Sequence, residues 1–169
     1  EWSTGAHFTT AAICGDGFTD TGGAGANYSA NENYVQTYCR STPGDQVRVL
    51  FSSFNTQASY DKLFIYNGNS TAASKFASAN GVGLGNTSYG TGGWWGNLGV
   101  PPGPFTSSNA SGCLTFAFVS DGSTQAAGWV ATTTCVTPNN TCAGASPVLC
   151  GNTYSGVTSG VAHSMPANA

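Results

Sequence analysis

Asp61 and Asp121 are the side chains whose type and setting could do chemistry. The chain of 169 residues holds 7 Asp or Glu and 4 Lys or Arg, so each carboxylate stands out. Asp61 directly precedes the run Lys62-Leu-Phe-Ile-Tyr66, and Asp121 follows Leu114-Thr-Phe-Ala-Phe-Val-Ser120. Two carboxylates facing each other across a cleft are what a glycoside hydrolase needs. The same residues at strand ends can instead accept backbone N–H bonds and cap loops. Nothing else supports catalysis: His7 and His163 lie in weakly patterned ends, and no Gly-x-Ser-x-Gly elbow occurs. The expectation is a protein that is not an enzyme.

The composition points outside the cell. Only 7% of residues are charged, with a net charge of -3, against about a quarter charged in ordinary soluble domains. Arg40, Arg48, Lys62 and Lys75 are scattered and form no patch for counterion release, so no nucleic-acid partner is expected. Six cysteines without zinc-site spacing imply disulfides and an oxidising compartment. Of the 15 pairings that six cysteines allow, joining each to the next along the chain predicts Cys14–Cys39, Cys113–Cys135 and Cys142–Cys150. The first two would each stabilise by roughly 3 kcal/mol in the chain-entropy model. There is no run of 18 apolar residues, so no membrane span is expected. No basic-then-apolar leader opens the sequence, so Glu1 reads as a mature N-terminus or as the boundary of a fragment, and secretion is inferred from the cysteines.

The elements around the aspartates are strands. Gln46-Val-Arg-Val-Leu-Phe51 alternates with Val47, Val49 and Phe51 on one face. Leu63 with Ile65, and Leu114 with Phe116 and Phe118, form further apolar faces, and Gly128-Trp-Val-Ala-Thr-Thr-Thr-Cys135 reads as a closing strand with Trp129 in the core. Residues 27–39 lead into another strand. Five glycines between Cys14 and Gly25 favour turns over regular structure there. Residues 69–105 read as a long connection with short strands near Lys75-Phe76 and 82–84. No amphipathic helix pattern of useful length occurs. The fold class expected is all-β, an antiparallel jelly-roll-like β-sandwich. It divides into an N-terminal arm over 1–13, the sandwich over 14–135, and a linker with a disulfide-containing extension over 136–169. That extension could act as a donor strand or begin a further domain.

Taken together, Asn27-Tyr28, Asn33 before Cys39, Phe51-x-x-Phe54, Tyr60-Asp61-x-Leu63-x-Ile65-Tyr66-x-Gly68, Leu114-Thr-Phe-x-Phe-x-Ser-Asp121-x-Ser123 and Gly128-Trp129-x-Ala131 resemble a CUB domain, in particular the CUB-like modules of secreted bacterial surface proteins. The resemblance covers 14–135 and implies a jelly-roll-like sandwich built for binding. It also implies a calcium ion at one end, held by a glutamate and by the aspartates that Asp61 and Asp121 match. The glutamate is missing, since Asn55, Thr56 and Gln57 follow Phe54, and the family's middle cysteine pair is absent. Calcium takes six to eight oxygens. Asp20 is expected to replace the glutamate, with Asn55 adding a neutral oxygen and Gly122 a backbone one.

Tyr28, Tyr60, Trp94 and Trp95 are the aromatics expected to meet a ligand. Trp94-Trp95, flanked by glycines, could stack on a sugar or plug the end of the sandwich. Asparagine sequons stand at Asn27, Asn69, Asn86, Asn109 and Asn139. The expected function is a secreted, non-catalytic binding or adhesion module, with calcium or without it, whose partner is an extracellular protein or glycan. The alternative is a structural subunit of an extracellular fibre or surface array, joined to copies of itself through its terminal segments.

Overall fold

The computed structural model describes residues 12–98 and 102–138. Eight strands form two four-stranded sheets: β1 (Ala12–Ile13), β2 (Gly17–Thr19), β3 (Asn33–Cys39), β4 (Gln46–Asn55), β5 (Lys62–Tyr66), β6 (Phe105–Thr106), β7 (Leu114–Val119) and β8 (Gly128–Val136). One sheet runs β1-β3-β7-β5 and the other β2-β8-β4-β6. All pairings are antiparallel except β1 beside β3. The all-β sandwich is as expected. β2 was not anticipated: its three residues lie among glycines, and only pairing with β8 makes them a strand.

The core follows from alternation. Val47, Val49 and Phe51 of β4 point inward and are buried, whereas Arg48, Leu50 and Ser52 face solvent. Strict alternation would then send Phe54 outward. A bulge between Phe51 and Ser53 adds one residue opposite β8, so Phe54 returns to the inner face across from Trp129. This explains the Phe51-x-x-Phe54 spacing. Phe18, Tyr38, Phe51, Phe54, Phe116, Phe118 and Trp129 meet in this layer, mostly edge to face.

β5 and β7 are buried on both faces. Leu63, Ile65, Leu114, Phe116 and Phe118 face the core. Phe64, Tyr66, Ala117 and Val119 face the other way and are covered by the long connection through Ala73 and Tyr89. That connection is stitched to β5 by bridges Lys75–Tyr66 and Trp94–Leu63, and to β4 by Asn97–Asn55. The strand expected near Lys75 thus survives as a single bridge, and residues 82–84 form none. The Lys75 ammonium lies 5.1 Å from the Phe64 ring centroid and donates to the Thr91 carbonyl at 3.1 Å.

The disulfides correct the sequence expectation. Cys14 pairs with Cys135 and Cys39 with Cys113, not Cys14 with Cys39 or Cys113 with Cys135. Both bonds continue a strand register. Tyr38 pairs with Leu114, which sets Cys39 opposite Cys113, and Gly17 pairs with Thr132, which sets Cys14 opposite Cys135. Their Cα atoms are 4.1 and 5.2 Å apart, within bonding reach. Neighbours in sequence lost to neighbours across a ladder. Cys142–Cys150, the arm over 1–11 and the extension from 139 onward lie outside the described residues.

Non-reducing peptide mapping is expected to recover Cys14 with Cys135 and Cys39 with Cys113. The double substitution C14S/C135S opens a link between residues 121 apart in sequence. It should lower the unfolding free energy by about 2–5 kcal/mol in a urea titration. Recovery of a Cys14–Cys39 peptide would contradict the fold's register.

Candidate functional site: the loop end around Asp61 and Asp121

Three crossings between the sheets meet at one end: residues 20–32 from β2 to β3, 56–61 from β4 to β5, and 120–127 from β7 to β8. Lys62, Val119 and Asn33 are in register, so the residues just beyond them, Asp61, Ser120 and Glu32, stand side by side. They share the face of Leu63, Phe118 and Tyr34, two positions further along each strand, and therefore lean towards the interior.

Asp61 is fully buried. Its Oδ2 accepts the Tyr28 hydroxyl at 2.5 Å and its Oδ1 accepts the Asp121 N–H at 2.8 Å. The Tyr28 oxygen also accepts the Gln57 N–H at 2.9 Å. The three crossings are thus joined through one carboxylate and one phenol. Burial raises the Asp61 pKa, while the Tyr28 and Asp121 bonds oppose this and the charges of Asp121 and Glu32 add to it. Burial, and next the bond to Asp61, push the Tyr28 phenol well above its usual range.

Asp121 sits half-buried at the rim. Its Oδ1 accepts the Ser123 N–H at 2.8 Å. The Gln57 side-chain amide, oriented so that its nitrogen meets acceptors and its oxygen meets donors, donates to Asp121 Oδ1 at 3.2 Å and to the Ser123 carbonyl at 3.0 Å. Glu32 Oε1 accepts the Ser29 N–H at 2.7 Å and the Thr21 hydroxyl, while its Oε2 is buried without a partner. Asn31, Ser59 and Thr124, the non-glycine residues with positive φ among the described residues, lie one in each crossing. Such left-handed backbone is costly and collects where a surface must hold a set shape.

Asp61 and Asp121 are brought together as expected. Asp20 is not directed to them: its buried carboxylate accepts the Gly22 N–H at 2.8 Å and the Trp129 N–H at 3.0 Å. Gly128 makes room for this, since a Cβ there would lie 2.1 Å from Asp20 Oδ2. Asn55 ends β4 within the ladder, opposite Gly128 and bridged to Asn97. Gly122 is exposed, but the carbonyl facing Gln57 is that of Ser123. Tyr28 is buried and serves as an internal strut, which corrects its expected role as a ligand contact. Trp94 is also structural: it packs on Phe105 and donates its indole N–H to the Phe76 carbonyl at 2.8 Å. Trp95 and Tyr60 are partly exposed near residues 83–85. Trp129 is core, as expected.

Sequence reasoning missed Glu32 and Gln57. Gln57 had a signal, its place three residues after Phe54 where the resemblance wants a glutamate. Glu32 had none, because its proximity follows only from the β3–β7–β5 register.

The donor set can be tested against calcium. No group of three or more His, Cys, Asp or Glu that could hold a metal occurs among the described residues. Neutral oxygens can complete a calcium shell, however. Asp121 Oδ1 and the Ser123 carbonyl lie 3.2 and 3.0 Å from the end of the Gln57 amide, and neighbouring oxygens around calcium at 2.3–2.6 Å are themselves roughly 3 Å apart. What meets those two oxygens is the Gln57 nitrogen, and both Asp61 oxygens are taken by the Tyr28 hydroxyl and the Asp121 N–H, so the residues at this end do not form a calcium shell as they stand.

Two substitutions test this account. Tyr28→Phe strips a buried partner from Asp61 and from the Gln57 N–H, and should cost about 1–3 kcal/mol in denaturant unfolding. Asp20 has a pKa raised above the usual 3.8, first by burial and against its backbone bonds. A raised folded-state pKa favours the protonated form, so this stabilisation is full below the unfolded pKa and fades as pH rises through the folded one. The melting temperature of the wild type relative to Asp20→Asn should accordingly fall as pH climbs from 3.8. A rising difference would reverse the assignment.

No protein-family model matches the chain, and no curated protein matches it. Solved structures do. The full extracellular region of zebrafish Gpr126/Adgrg6 aligns at a TM-score of 0.52 with 18% identity, covering 76% of this chain and 15% of that one. The CUB1-EGF-CUB2 domain of human MASP-1/3 aligns at 0.52 with 17% identity, covering 73% and 41%. The CUB1-EGF-CUB2 domains of rat MASP-1 align at 0.51 with 15% identity, covering 72% and 40%. The chain spans less than half the length of each. Strand order, core and aligned structures agree that this chain has a CUB-like fold.

Proposed function

We propose that this chain is a non-catalytic binding module that meets an extracellular protein or glycan with the loop end around Asp61 and Asp121. The observation that carries this reading is the coincidence of three acids, Glu32, Asp61 and Asp121, with the three left-handed non-glycine residues Asn31, Ser59 and Thr124. Three of the chain's four Lys and Arg side chains are placed away from that surface, and the fourth, Lys62, adjoins Asp61 but is buried beneath it. Arg40 follows β3 at the opposite end, Arg48 lies towards that end of β4, and Lys75 is bound over Phe64. Lys62 is buried and donates to the Asn86 carbonyl at 3.1 Å. The rim is therefore negative and would favour a partner's basic group. This reading does not require calcium, because the bonds among Tyr28, Gln57, Asp61 and Asp121 already hold the loops. The two disulfides fit an oxidising, extracellular setting. No helix among the described residues is long and apolar enough to cross a membrane.

The test is a screen of immobilised extracellular matrix proteins and glycans, followed by affinity measurement for whatever binds. Glu32→Gln with Asp121→Asn should weaken binding by about tenfold or more, and added salt should weaken it further. A partner indifferent to both, yet lost on substituting the exposed Leu50 of β4, would move the surface to the outer face of the other sheet.

Assembly into a fibre has one supporting observation. Among the described residues, positions 33–37 of β3 have a ladder partner on one side only, because β1 pairs with Tyr38 and Cys39 alone. An added strand could occupy this edge. Concentration-dependent growth in size-exclusion chromatography would favour that reading, and a monomer at all concentrations would exclude it.

A further inference from the structure

We infer that the turn over residues 81–86 carries an apolar tip, Val82 and Leu84, that docks on an apolar patch of a protein. The tip extends the surface around Asp61 and Asp121 and makes a protein, not a glycan, the partner of that surface. The inference deepens the reading of this end as the binding surface and rests on it.

Val82 and Leu84 are 51% and 58% exposed. Ile13 and Leu50, the other large apolar side chains exposed to this degree among the described residues, stand singly on β1 and β4, which is ordinary. The tip pair differs because the fold holds it outward. The backbone at Gly83 and Gly85 has φ of 67° and 69°, a left-handed conformation that side chains rarely adopt. A Cβ at 83 would lie 2.6 Å from the Ser59 carbonyl oxygen, and one at 85 would lie 3.0 Å from Tyr60 Cδ1. The glycines therefore take the inner side of the turn, and the aliphatic residues that alternate with them are left outside. The turn is pinned in place: the Leu84 N–H donates to the Ser59 carbonyl at 2.7 Å, and the buried Lys62 ammonium donates to the Asn86 carbonyl at 3.1 Å. Ser59 belongs to the crossing that carries Gln57 and Asp61, so the tip adjoins the acid rim. The partly exposed Tyr60 and Trp95 lie against the same turn.

The chemistry of the tip selects its partner. Val and Leu side chains have no hydrogen-bonding atom and no aromatic face, so a sugar ring gains nothing from them. A bilayer is a poor match as well. Two half-exposed aliphatic side chains bury far less than a lipid anchor, and a single acyl chain already gives only marginal binding. The lysines that would meet anionic headgroups are withheld, Lys62 by burial and Lys75 by the Thr91 carbonyl and the Phe64 ring. A protein surface matches what remains, since protein interfaces join an apolar, aromatic-rich centre to a polar rim. Val82 and Leu84 supply the centre, Tyr60 and Trp95 its aromatic flank, and Asp121 with Glu32 a charged rim beyond the crossing. A turn already held by two hydrogen bonds loses little further freedom on docking.

The experiment compares wild type with the double variant Val82→Ser/Leu84→Ser on a panel of immobilised extracellular matrix proteins, a glycan array and vesicles of phosphatidylcholine. Both side chains are more than half exposed, so the double variant should melt within about 3 °C of wild type. Wild type should bind a protein of the panel, and the double variant should bind it about tenfold or more weakly. Leu84→Met keeps an apolar side chain and should bind nearly as well as wild type. If the double variant does not fold, Leu84→Ser alone is compared. Three results would overturn the inference: protein binding that the double variant retains in full, glycan or vesicle binding that it loses, and no protein bound at all. Glu32→Gln with Asp121→Asn separates the tip from the wider reading of this end. A protein or glycan lost to that acid pair but kept by the tip variant sinks the tip alone, whereas no binding to any surface sinks both.

Discussion

The buried pair of Tyr28 and Asp61 is the interaction on which the loop end depends. A carboxylate with no exposed surface is costly unless each oxygen is matched by a donor. Asp61 has the Tyr28 hydroxyl on one oxygen and the Asp121 N–H on the other. Because Tyr28 precedes β3, Asp61 precedes β5 and Asp121 follows β7, matching this one charge positions all three crossings. The Gln57 N–H on the same phenol ties in the end of β4. Exposed side chains at this end then inherit their positions from an internal constraint rather than from contacts of their own.

Low charge elsewhere makes this end electrostatically distinct. The polar surface is mainly uncharged, and both lysines are drawn under the long connection, where carbonyls and aromatic rings take up their ammonium groups. That connection also explains why β5 and β7 are apolar on both faces in an antiparallel sheet. Such sheets usually leave one face to water. Here the loop acts as a third layer, so hydrophobic runs without alternation are compatible with an antiparallel order.

Much of the sandwich could be read from particular residues. Val47, Val49 and Phe51, and likewise Leu114, Phe116 and Phe118, state an inward face by period two alone. The Phe51-x-x-Phe54 spacing was recognisable as a motif, although its cause, a bulge opposite Ala131 and Val130, was not. Asp61 and Asp121 were identifiable as a pair because few other acids compete. Asp20 misled for a physical reason: a glycine-rich loop suggests an open site, but its carboxylate turns inward to the N–H groups of Gly22 and Trp129, where the distant Gly128 leaves it room. Trp94 and Tyr28 could equally have been surface aromatics, since an indole N–H or a phenol hydroxyl reveals its partner only after folding.

Alternation of side chains, the scarcity of charge and the supply of cysteines are local or compositional properties, and the sequence by itself determined through them an all-β, disulfide-bonded chain with two notable aspartates. Pairing is a long-range property. Which cysteines met was decided by ladder register, which set Cys39 opposite Cys113 and Cys14 opposite Cys135 across 74 and 121 residues. The same register brought Glu32 beside Asp61, and the inter-sheet crossings brought the Gln57 amide to Asp121. A strand's own residues specify which way its side chains point, but the neighbour it faces depends on the free energy of the whole sandwich, so only the tertiary structure could complete the site.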